Sequence, residues 1–302
     1  MNPYLKAMRL GRWPRSLAIF LGVGAFYFLH REAISSIPVL WFLGQSLFAF
    51  FLTWAISTAN YIINEIADAP FDIHHPTKSQ RPLVKGEIKK TPLLICGVIL
   101  SLLSLWLAFV FFTFPFFLSL LALLIAGFLY NLKPFRTKDI PFLDSISESA
   151  NNPIRFLIGW FAFSSAHVFP PVSLLFTWWV FGNFLMIAKR LSEFRLLKDQ
   201  AEKYRSSLSK YSINSLVLGV TLSTIFFFIG YFLFAFSFKL QSFIYFSPFV
   251  SVYFFLIFWK TLKEKEAMEE PERLFMHSKF TIYTLFLSLL FFLSFFIDTV
   301  GK

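Results

Sequence analysis

Apolar residues form nine long runs along this chain of 302 residues, and polar residues are concentrated between the runs. A helix of about 20 apolar residues crosses the hydrocarbon core of a bilayer, which is about 30 Å thick. The pattern therefore predicts an all-α, polytopic membrane protein, folded as a single domain over residues 1–302 with nine transmembrane helices. The predicted spans lie near residues 16–30, 39–63, 91–112, 115–132, 143–165, 168–188, 213–236, 241–260 and 279–299.

The composition agrees with a membrane setting. Hydrophobic residues make up 57% of the chain, 45 residues are Phe, and only 15% are charged. A soluble domain of this length needs more charge to cover its surface. The single cysteine, Cys96, excludes an internal disulfide and a metal site built from several cysteines.

The distribution of basic residues predicts the orientation. If the N-terminus is cytoplasmic, 24 of the 28 Lys and Arg residues lie in cytoplasmic segments and three lie outside. Arg155 is the remaining one and falls within a predicted span. This asymmetry follows the positive-inside rule, and an odd number of spans puts the C-terminus outside. The net charge of +11 therefore reflects topology and attraction to anionic lipid or substrate, rather than nucleic-acid binding.

The end of the second predicted span carries a polar face. Residues of this face recur at intervals of four: Asn60, Asn64, Asp68 and Asp72. On a helix each is rotated by only about 40° from the one before it, so all four share one side. An Asp at the centre of a membrane costs about 2.5 kcal/mol or more, so we expect this side to face a hydrated cavity.

Carboxylates one helical turn apart suit Mg²⁺, which takes oxygen ligands and shares them with substrate phosphates. Lys78 and Arg81 follow this face and are expected to bind the remaining phosphate oxygens. The alternative is a solvated helix end whose charges serve only the topology. His74 and His75 are interpreted as loop residues rather than metal ligands.

Two further charged segments, both predicted to be cytoplasmic, complete the candidate site. In the first, Lys133, Arg136 and Lys138 form a predicted phosphate-binding loop that leads to Asp144. Arg155 continues this polarity into the membrane, and its alternative role is an ion pair with Asp144 or Glu148. The second segment begins with Lys189, Arg190 and Glu193 at the end of the sixth span, and its distal part also fits a surface helix on anionic headgroups. We expect the three segments to converge on one cytoplasmic cavity.

Three motifs together resemble the UbiA superfamily of intramembrane prenyltransferases. The first is Asn64-Glu65-Ile66-Ala67-Asp68-Ala69-Pro70-Phe71-Asp72, and the second is Arg81-Pro82-Leu83-Val84-Lys85-Gly86. The third is the loop that begins at Tyr130 and runs through Lys133, Pro134, Arg136, Lys138 and Asp144. Glu65 replaces the family's usual Asp, and the second acidic motif, Asp-x-x-x-Asp, is replaced by Lys189-Arg190-Leu191-Ser192-Glu193.

The resemblance implies a Mg²⁺-dependent membrane transferase that moves a polyprenyl group from a polyprenyl diphosphate to a lipophilic acceptor. Its implied catalytic residues are Asn64, Asp68, Asp72 and Arg81. Its implied metal ligands are Asp68, Asp72, Asn64 and Glu65. Its implied phosphate-binding residues are Lys78, Arg81, Lys133, Arg136, Lys138, Arg155, Lys189 and Arg190. Asp144 and Glu193 are candidates for a second acidic group.

The missing second motif leaves an alternative open. A chain that lacks this motif and carries His75-Pro76-Thr77-Lys78 resembles the decaprenyl-phosphate phosphoribosyltransferase branch. In that branch, phosphoribose passes from phosphoribosyl diphosphate to a polyprenyl phosphate. A transporter is a third interpretation, but its polar residues are expected near mid-membrane in several spans. In this chain the ionisable residues gather at the predicted cytoplasmic ends.

Overall fold

The computed structural model of the protein describes residues 2–73, 78–164, 167–197, 207–263 and 278–300. These residues form helices joined by turns and loops, and no strand occurs among them. The α-helices in the described ranges are α1 (Pro3–Ala7), α2 (Ile19–Leu29), α3 (Arg31–Ser35), α4 (Val39–Asp72), α5 (Lys90–Phe111), α6 (Phe114–Asn131), α7 (Leu143–Ser149), α8 (Asn151–Phe161), α9 (Val172–Leu197), α10 (Ile213–Ser237), α11 (Gln241–Lys263) and α12 (Ser278–Val300). Short 3-10 helices cover Leu10–Ala18, Lys78–Gln80, Thr137–Asp139 and Leu208–Lys210.

Seven of these helices are long and apolar enough to cross a membrane: α4, α5, α6, α9, α10, α11 and α12. They coincide with seven of the nine predicted spans. Large apolar side chains such as Leu40 and Trp106 are exposed on them, as expected for a surface that contacts lipid. The largest difference in length is in α4, which continues beyond the predicted end at residue 63 to Asp72. The polar residues expected on one helix face are therefore part of the same helix as the membrane span.

The other two predicted spans consist of shorter elements, so the count of nine is not confirmed. Residues 16–30 are divided between the 3-10 helix that contains Pro14 and the 11-residue α2. Residues 143–165 contain α7 and α8, which are separated at Ala150. Pro153 explains this break because it lacks an N–H and its ring would clash with the carbonyl group of Ser149 in a continuous helix.

The chain divides into two compact units. Unit 1 comprises Met1–Lys138 and Ala150–Pro170, and unit 2 comprises Asp139–Ser149 and Pro171–Lys302. The assignment of residues 1–302 to one domain stays a prediction.

In unit 1, α4 packs against α5 and α6, and α2 packs against α8. The last pair approaches closely because α2 has a glycine at the crossing. A Cβ atom on Gly22 would lie 2.0 Å from the carbonyl oxygen of Phe156. Small residues allow such backbone approach between membrane helices, where packing rather than water exclusion drives association. Phe26 and Trp160 fill the adjacent space with ring centroids 5.1 Å apart.

In unit 2, α9 packs along α10, and α11 joins them. The core of this unit is aromatic. The ring of Phe254 lies 4.4 Å from that of Phe184 and 4.6 Å from that of Phe227, measured between centroids. These three residues come from α11, α9 and α10 respectively, so part of the high Phe content serves interior packing as well as the lipid-facing surface.

The predicted orientation is testable by cysteine accessibility in intact cells. After replacement of Cys96 by Ala, we expect Gln80→Cys and Thr137→Cys to react with a membrane-impermeant maleimide only once the membrane is permeabilised. Lys239→Cys, in the loop between α10 and α11, is the matched control and should react from outside. Labelling of position 80 or 137 in intact cells would contradict the cytoplasmic assignment.

Candidate functional site

The last turns of α4 carry four polar side chains at the end of a long apolar helix: Asn64, Glu65, Asp68 and Asp72. Because seven residues make nearly two helical turns, Glu65 and Asp72 lie on almost the same line along the helix, next to the line of Asn64 and Asp68. The structure pairs the two lines with different basic residues. We call them the Asp68 group and the Glu65–Asp72 group.

The Asp68 group is built around one carboxylate and two cations. The Oδ1 atom of Asp68 accepts hydrogen bonds from Nη2 of Arg136, at 3.2 Å, and from Nζ of Lys138. Its Oδ2 atom accepts a hydrogen bond from Nδ2 of Asn64 at 3.0 Å. Lys138 is buried, although it lies in the 3-10 helix of a connecting loop. The predicted association of this loop with the polar end of α4 is therefore present within unit 1.

Asn131, the last residue of α6, connects these side chains. Its Oδ1 atom accepts hydrogen bonds from Nδ2 of Asn64 at 2.6 Å and from Nζ of Lys138 at 3.0 Å. Its Nδ2 atom donates to the carbonyl oxygen of Gly127 at 2.9 Å, which fixes the orientation of the amide. Asn131 is not among the site residues predicted from the sequence. The sequence feature that could have identified it is a polar residue at the end of an otherwise apolar helix.

Gly127 also sets the distance between α4 and α6 one turn earlier. A Cβ atom there would lie 2.1 Å from Oδ1 of Asn60, so only glycine allows the two helices to pack this closely. Asn60 donates a hydrogen bond from Nδ2 to the carbonyl oxygen of Leu123 at 2.8 Å. The first polar residue of the predicted face therefore joins two helices, whereas Asn64 and Asp68 contact basic and amide side chains.

Arg136 is held by several contacts besides its ion pair. Its Nη1 atom donates to the carbonyl oxygens of Ala67 and Asn131 at 3.4 and 3.3 Å. Its guanidinium carbon lies 4.6 Å from the centroid of the Phe71 ring, within the range of a cation–π contact. The backbone of Arg136 has a positive φ of 32°. These contacts orient the guanidinium group at the end of α4.

The Glu65–Asp72 group has two arginines. Nη2 of Arg9 donates to Oε2 of Glu65 at 2.6 Å, and Nη1 of Arg9 lies 3.5 Å from Oδ1 of Asn64. Nη1 of Arg81 pairs with Oδ2 of Asp72 and lies 3.7 Å from Oε2 of Glu65. Arg9 was not predicted to lie at this site, because basic residues before the first apolar run were interpreted only as topology signals.

Three other predicted phosphate-binding residues belong to unit 1: Lys133, Arg155 and Lys78. Lys133 is exposed, and no contact of its side chain with the Asp68 group is seen. Arg155 lies on α8 and is partly buried. Lys78 begins the 3-10 helix after α4, and its side chain is outside the described part of the structure, as are His74 and His75. Their roles in the site stay predictions.

The second acidic group is organised around Arg190 of α9, in unit 2. Arg190 is only 1% exposed. Its Nε donates to Oδ2 of Asp144 at 2.8 Å, its Nη1 to Oε2 of Glu193 at 2.8 Å, and its Nη2 to Oε2 of Glu148 at 3.2 Å. Each guanidinium nitrogen thus has a carboxylate partner. Nζ of Lys189 lies 4.0 Å from Oε1 of Glu193 at the edge of this cluster.

Asp144 is fully buried and has further partners. Its Oδ1 atom accepts a hydrogen bond from the Tyr211 hydroxyl at 2.6 Å, and its Oδ2 atom accepts one from Oγ of Ser207 at 3.3 Å. Burial, followed by the charge and hydrogen bond of Asp144, raises the pKa of Tyr211 well above its usual value. The phenol therefore stays protonated as a donor. We call Arg190, Asp144, Glu148, Glu193 and Tyr211 the Arg190 cluster.

These features define a class of protein: a multi-pass helical membrane protein with carboxylates and cations at the end of an apolar helix. A family comparison places the chain within it: residues 17–285 match the model of the UbiA prenyltransferase family, so the chain belongs to this family. It is an integral, multi-pass membrane protein. No curated protein sequence matches it at a significant level.

Solved structures support the same fold. A UbiA homologue from Archaeoglobus fulgidus bound to GPP and Mg²⁺ is 18% identical, with a TM-score of 0.64. The same homologue bound to DMAPP and Mg²⁺ is 20% identical, with a TM-score of 0.65, and both matches cover 99% of each chain. A digeranylgeranylglyceryl phosphate synthase is 20% identical, with a TM-score of 0.65, over 99% of this chain and 98% of that chain.

The Arg190 cluster makes a prediction about stability. In Arg190→Ala, the carboxylates of Asp144 and Glu193 would lose a buried positive partner, so we expect the free energy of unfolding to fall by about 3–5 kcal/mol. The neighbouring Lys189→Ala change, at a more exposed position, should lower it by less than about 1 kcal/mol. Unfolding of both purified variants in detergent checks this, and equal effects would contradict a central role for Arg190.

Proposed function

We propose that the protein is a Mg²⁺-dependent integral membrane prenyltransferase that transfers a polyprenyl group from a polyprenyl diphosphate to a lipophilic acceptor. One observation carries the proposal: Asp68 and Asp72 lie one turn apart at the end of α4, and each is paired with a basic side chain. Family membership and the structures of homologues with GPP or DMAPP and Mg²⁺ support it.

The carboxylate oxygens of Asp68 and Asp72 fit the way in which Mg²⁺ binds in phosphate-transfer sites. Among the described residues, no group of three or more His, Cys, Asp or Glu side chains is arranged to hold a metal ion. Mg²⁺ is usually bound through one or two carboxylates together with substrate phosphates and water, so two carboxylates meet the requirement. Asp68 and Asp72 would hold the ion, with Asn64 orienting Asp68 through its hydrogen bond. The ion would neutralise charge on the diphosphate leaving group.

The basic residues give the site its second component. Arg136 and Lys138 contact Asp68, and Arg81 contacts Asp72. A diphosphate that enters the site supplies more acceptor oxygens for the same donors. We propose that the three cations then bind phosphate oxygens through charge-assisted hydrogen bonds, which stabilise the charge that develops when the leaving group departs. Lys78, Lys133 and Arg155 are further candidates for this role.

The transfer step follows from the chemistry of an allylic diphosphate. The bond between the allylic carbon and the diphosphate oxygen breaks, and its electron pair leaves with the diphosphate. The electron-poor carbon then forms a bond with a nucleophile of the acceptor. Apolar helices around the site are suited to a substrate whose chain stays in the bilayer. The charge distribution favours a site that opens on the cytoplasmic side.

Phosphoribosyl transfer to a polyprenyl phosphate is the second candidate, and the Arg190 cluster favours it. In this cluster the guanidinium group of Arg190 lies among the carboxylates of Asp144, Glu148 and Glu193. These carboxylates therefore already have a cation that belongs to unit 2. An enzyme with a single metal–diphosphate site needs no second acidic metal site. Phosphoribosyl diphosphate and a lipid phosphate would fit that requirement. Because the Arg190 nitrogens are bound to carboxylates, Lys189 is the more accessible candidate for a phosphate contact.

Asp68→Asn tests the metal assignment. The change keeps the size of the side chain but removes the charge, so we expect turnover to fall by about a hundredfold or more while the protein remains folded in membranes. EDTA should stop the wild-type reaction and Mg²⁺ should restore it. Asp298→Asn, which removes the charge that caps Ser242 at the start of α11, is the matched control and should retain activity. Full activity in Asp68→Asn would contradict the assignment.

The donor is identified by assaying the purified protein with Mg²⁺ and two labelled substrate pairs. One pair is a polyprenyl diphosphate with a lipid extract as the source of acceptor, and the other is phosphoribosyl diphosphate with a polyprenyl phosphate. Prenyl transfer predicts labelled lipid and released diphosphate only with the first pair. Product formation only with the second pair would reverse the order of the two candidates.

A further inference from the structure

The buried amide of Asn131 is a part of the candidate site to which the proposed reaction gives no role. Asn131 is 4% exposed, although it is the last residue of a largely apolar helix, α6. Its side chain contacts the carbonyl group of Gly127, the amide of Asn64 and the ammonium group of Lys138. Asn64 and Lys138 in turn both contact Asp68. Asn131 is therefore one side chain removed from a proposed metal ligand.

The hydrogen bonds that connect Asp68 to α6 run in one direction. A backbone carbonyl oxygen can only accept, so Nδ2 of Asn131 must face the carbonyl oxygen of Gly127, which lies at 2.9 Å. Oδ1 of Asn131 is thereby the acceptor for Nδ2 of Asn64, at 2.6 Å. The same Nδ2 atom donates its second proton to Oδ2 of Asp68, at 3.0 Å. The carbonyl group of Gly127 therefore determines the orientation of both amides.

The direction of this chain decides which atom of Asn64 faces Asp68. The donor end and the acceptor end of an amide are nearly equal in size, so its hydrogen-bond partners select between the two orientations. In the reversed orientation, Oδ1 of Asn64 would oppose a carboxylate oxygen of Asp68, and two acceptors would face each other. Oδ1 of Asn131 prevents this reversal because it requires a donor from Asn64.

Asn131 also holds Lys138. The ammonium group of Lys138 is buried, and a buried charge is strongly unfavourable without hydrogen-bond partners. Its Nζ atom donates to Oδ1 of Asp68 and, at 3.0 Å, to Oδ1 of Asn131. A metal ion and an ammonium group compete for the same carboxylate because both are positive. The contact with the neutral Asn131 can persist when Asp68 binds a metal ion, and it keeps the ammonium group near an arriving diphosphate.

We infer that Asn131 is a positioning residue for the metal–diphosphate complex. Its Oδ1 atom holds Asn64 as a donor to Asp68, and it retains Lys138 when a metal ion takes the carboxylate. The inference rests on the proposed function, because Mg²⁺ and diphosphate are the ligands of that site. It adds that a neutral side chain, which makes no hydrogen bond to Asp68 or Asp72 in the described structure, sets the affinity for these ligands.

Binding of Mn²⁺ in the presence of inorganic diphosphate tests this role without turnover. Free Mn²⁺ is measured by its electron paramagnetic resonance signal, which is lost when the ion binds to purified protein in detergent. Asn131→Leu has a similar shape but no acceptor, so we expect the affinity for Mn²⁺ to fall about tenfold or more. Asn131→Asp keeps an oxygen acceptor for Asn64 and Lys138 and should lose less affinity. Equal losses in the two variants would overturn the role of Oδ1.

Asn60→Leu is the matched control, because it removes a buried amide from the same pair of helices. Asn60 joins α4 to α6 through the carbonyl oxygen of Leu123, at 2.8 Å, about two turns before Asp68. We expect this variant to change the affinity for Mn²⁺ by less than about twofold. Equal reductions in Asn60→Leu and Asn131→Leu would show that Asn131 acts only through helix packing, and would overturn the inference.

The outcomes separate the inference from the proposed function. Mn²⁺ binding that Asn131→Leu leaves unchanged would refute the inference and leave the function standing. A lower affinity in Asn131→Leu, in a protein that turns over neither substrate pair, would refute the function and leave the positioning role standing. Failure of the wild-type protein to bind Mn²⁺ with diphosphate would refute both. Asn131→Ala also lacks the acceptor, and it replaces Asn131→Leu in these comparisons if the larger side chain prevents folding.

Discussion

Charge compensation at the end of an apolar helix is the constraint on which this structure depends. Helix α4 passes from lipid-exposed residues into turns that carry Glu65, Asp68 and Asp72. Carboxylates in such a poorly hydrated position are strongly unfavourable unless positive groups and hydrogen-bond donors surround them. The structure supplies these partners from the N-terminal segment, from the loop after α4 and from the loop after α6. Segments distant in sequence are thereby held at one helix end.

The same constraint explains why this arrangement can serve chemistry. A carboxylate that is neutralised by Lys or Arg is stable before a ligand enters, and its partners are already near the position of an anionic ligand. In the proposed reaction, a metal–diphosphate would give the carboxylates a cation and the basic residues phosphate oxygens, so no charge would be left without a partner. In the Arg190 cluster, the buried charges are compensated differently. Its guanidinium group is enclosed by three carboxylates, which favours a structural role at the end of α9.

The sequence was sufficient to predict the long helices and the polar end of α4. Apolar runs must have a minimum length to cross a membrane, and residues four apart lie on the same face of a helix. It was insufficient at residues 16–30 and 143–165, because hydropathy registers neither the 3-10 helix that extends to Ala18 nor the interruption of a helix by Pro153. The orientation and the count of nine spans remain predictions.

The contacts within the site were less predictable than its location. The association of Lys138 and Arg136 with Asp68 follows from charge, but the bridging role of Asn131 depends on how α6 packs on α4. Arg9 lies 56 residues before its partner Glu65, and nothing local in the sequence relates them. Arg190 was assigned to phosphate binding from its charge and its position at the end of the sixth predicted span. Its burial among carboxylates is a tertiary property.

The proposed metal–diphosphate site is tested most directly by anomalous diffraction from crystals of the protein grown with Mn²⁺ and inorganic diphosphate. We expect a Mn²⁺ peak coordinated by Asp68 and Asp72, with Arg136 and Lys138 in contact with diphosphate oxygens instead of Asp68. A metal peak at another place in the protein, or a diphosphate bound while Asp68 and Asp72 keep their present cation partners, would contradict it.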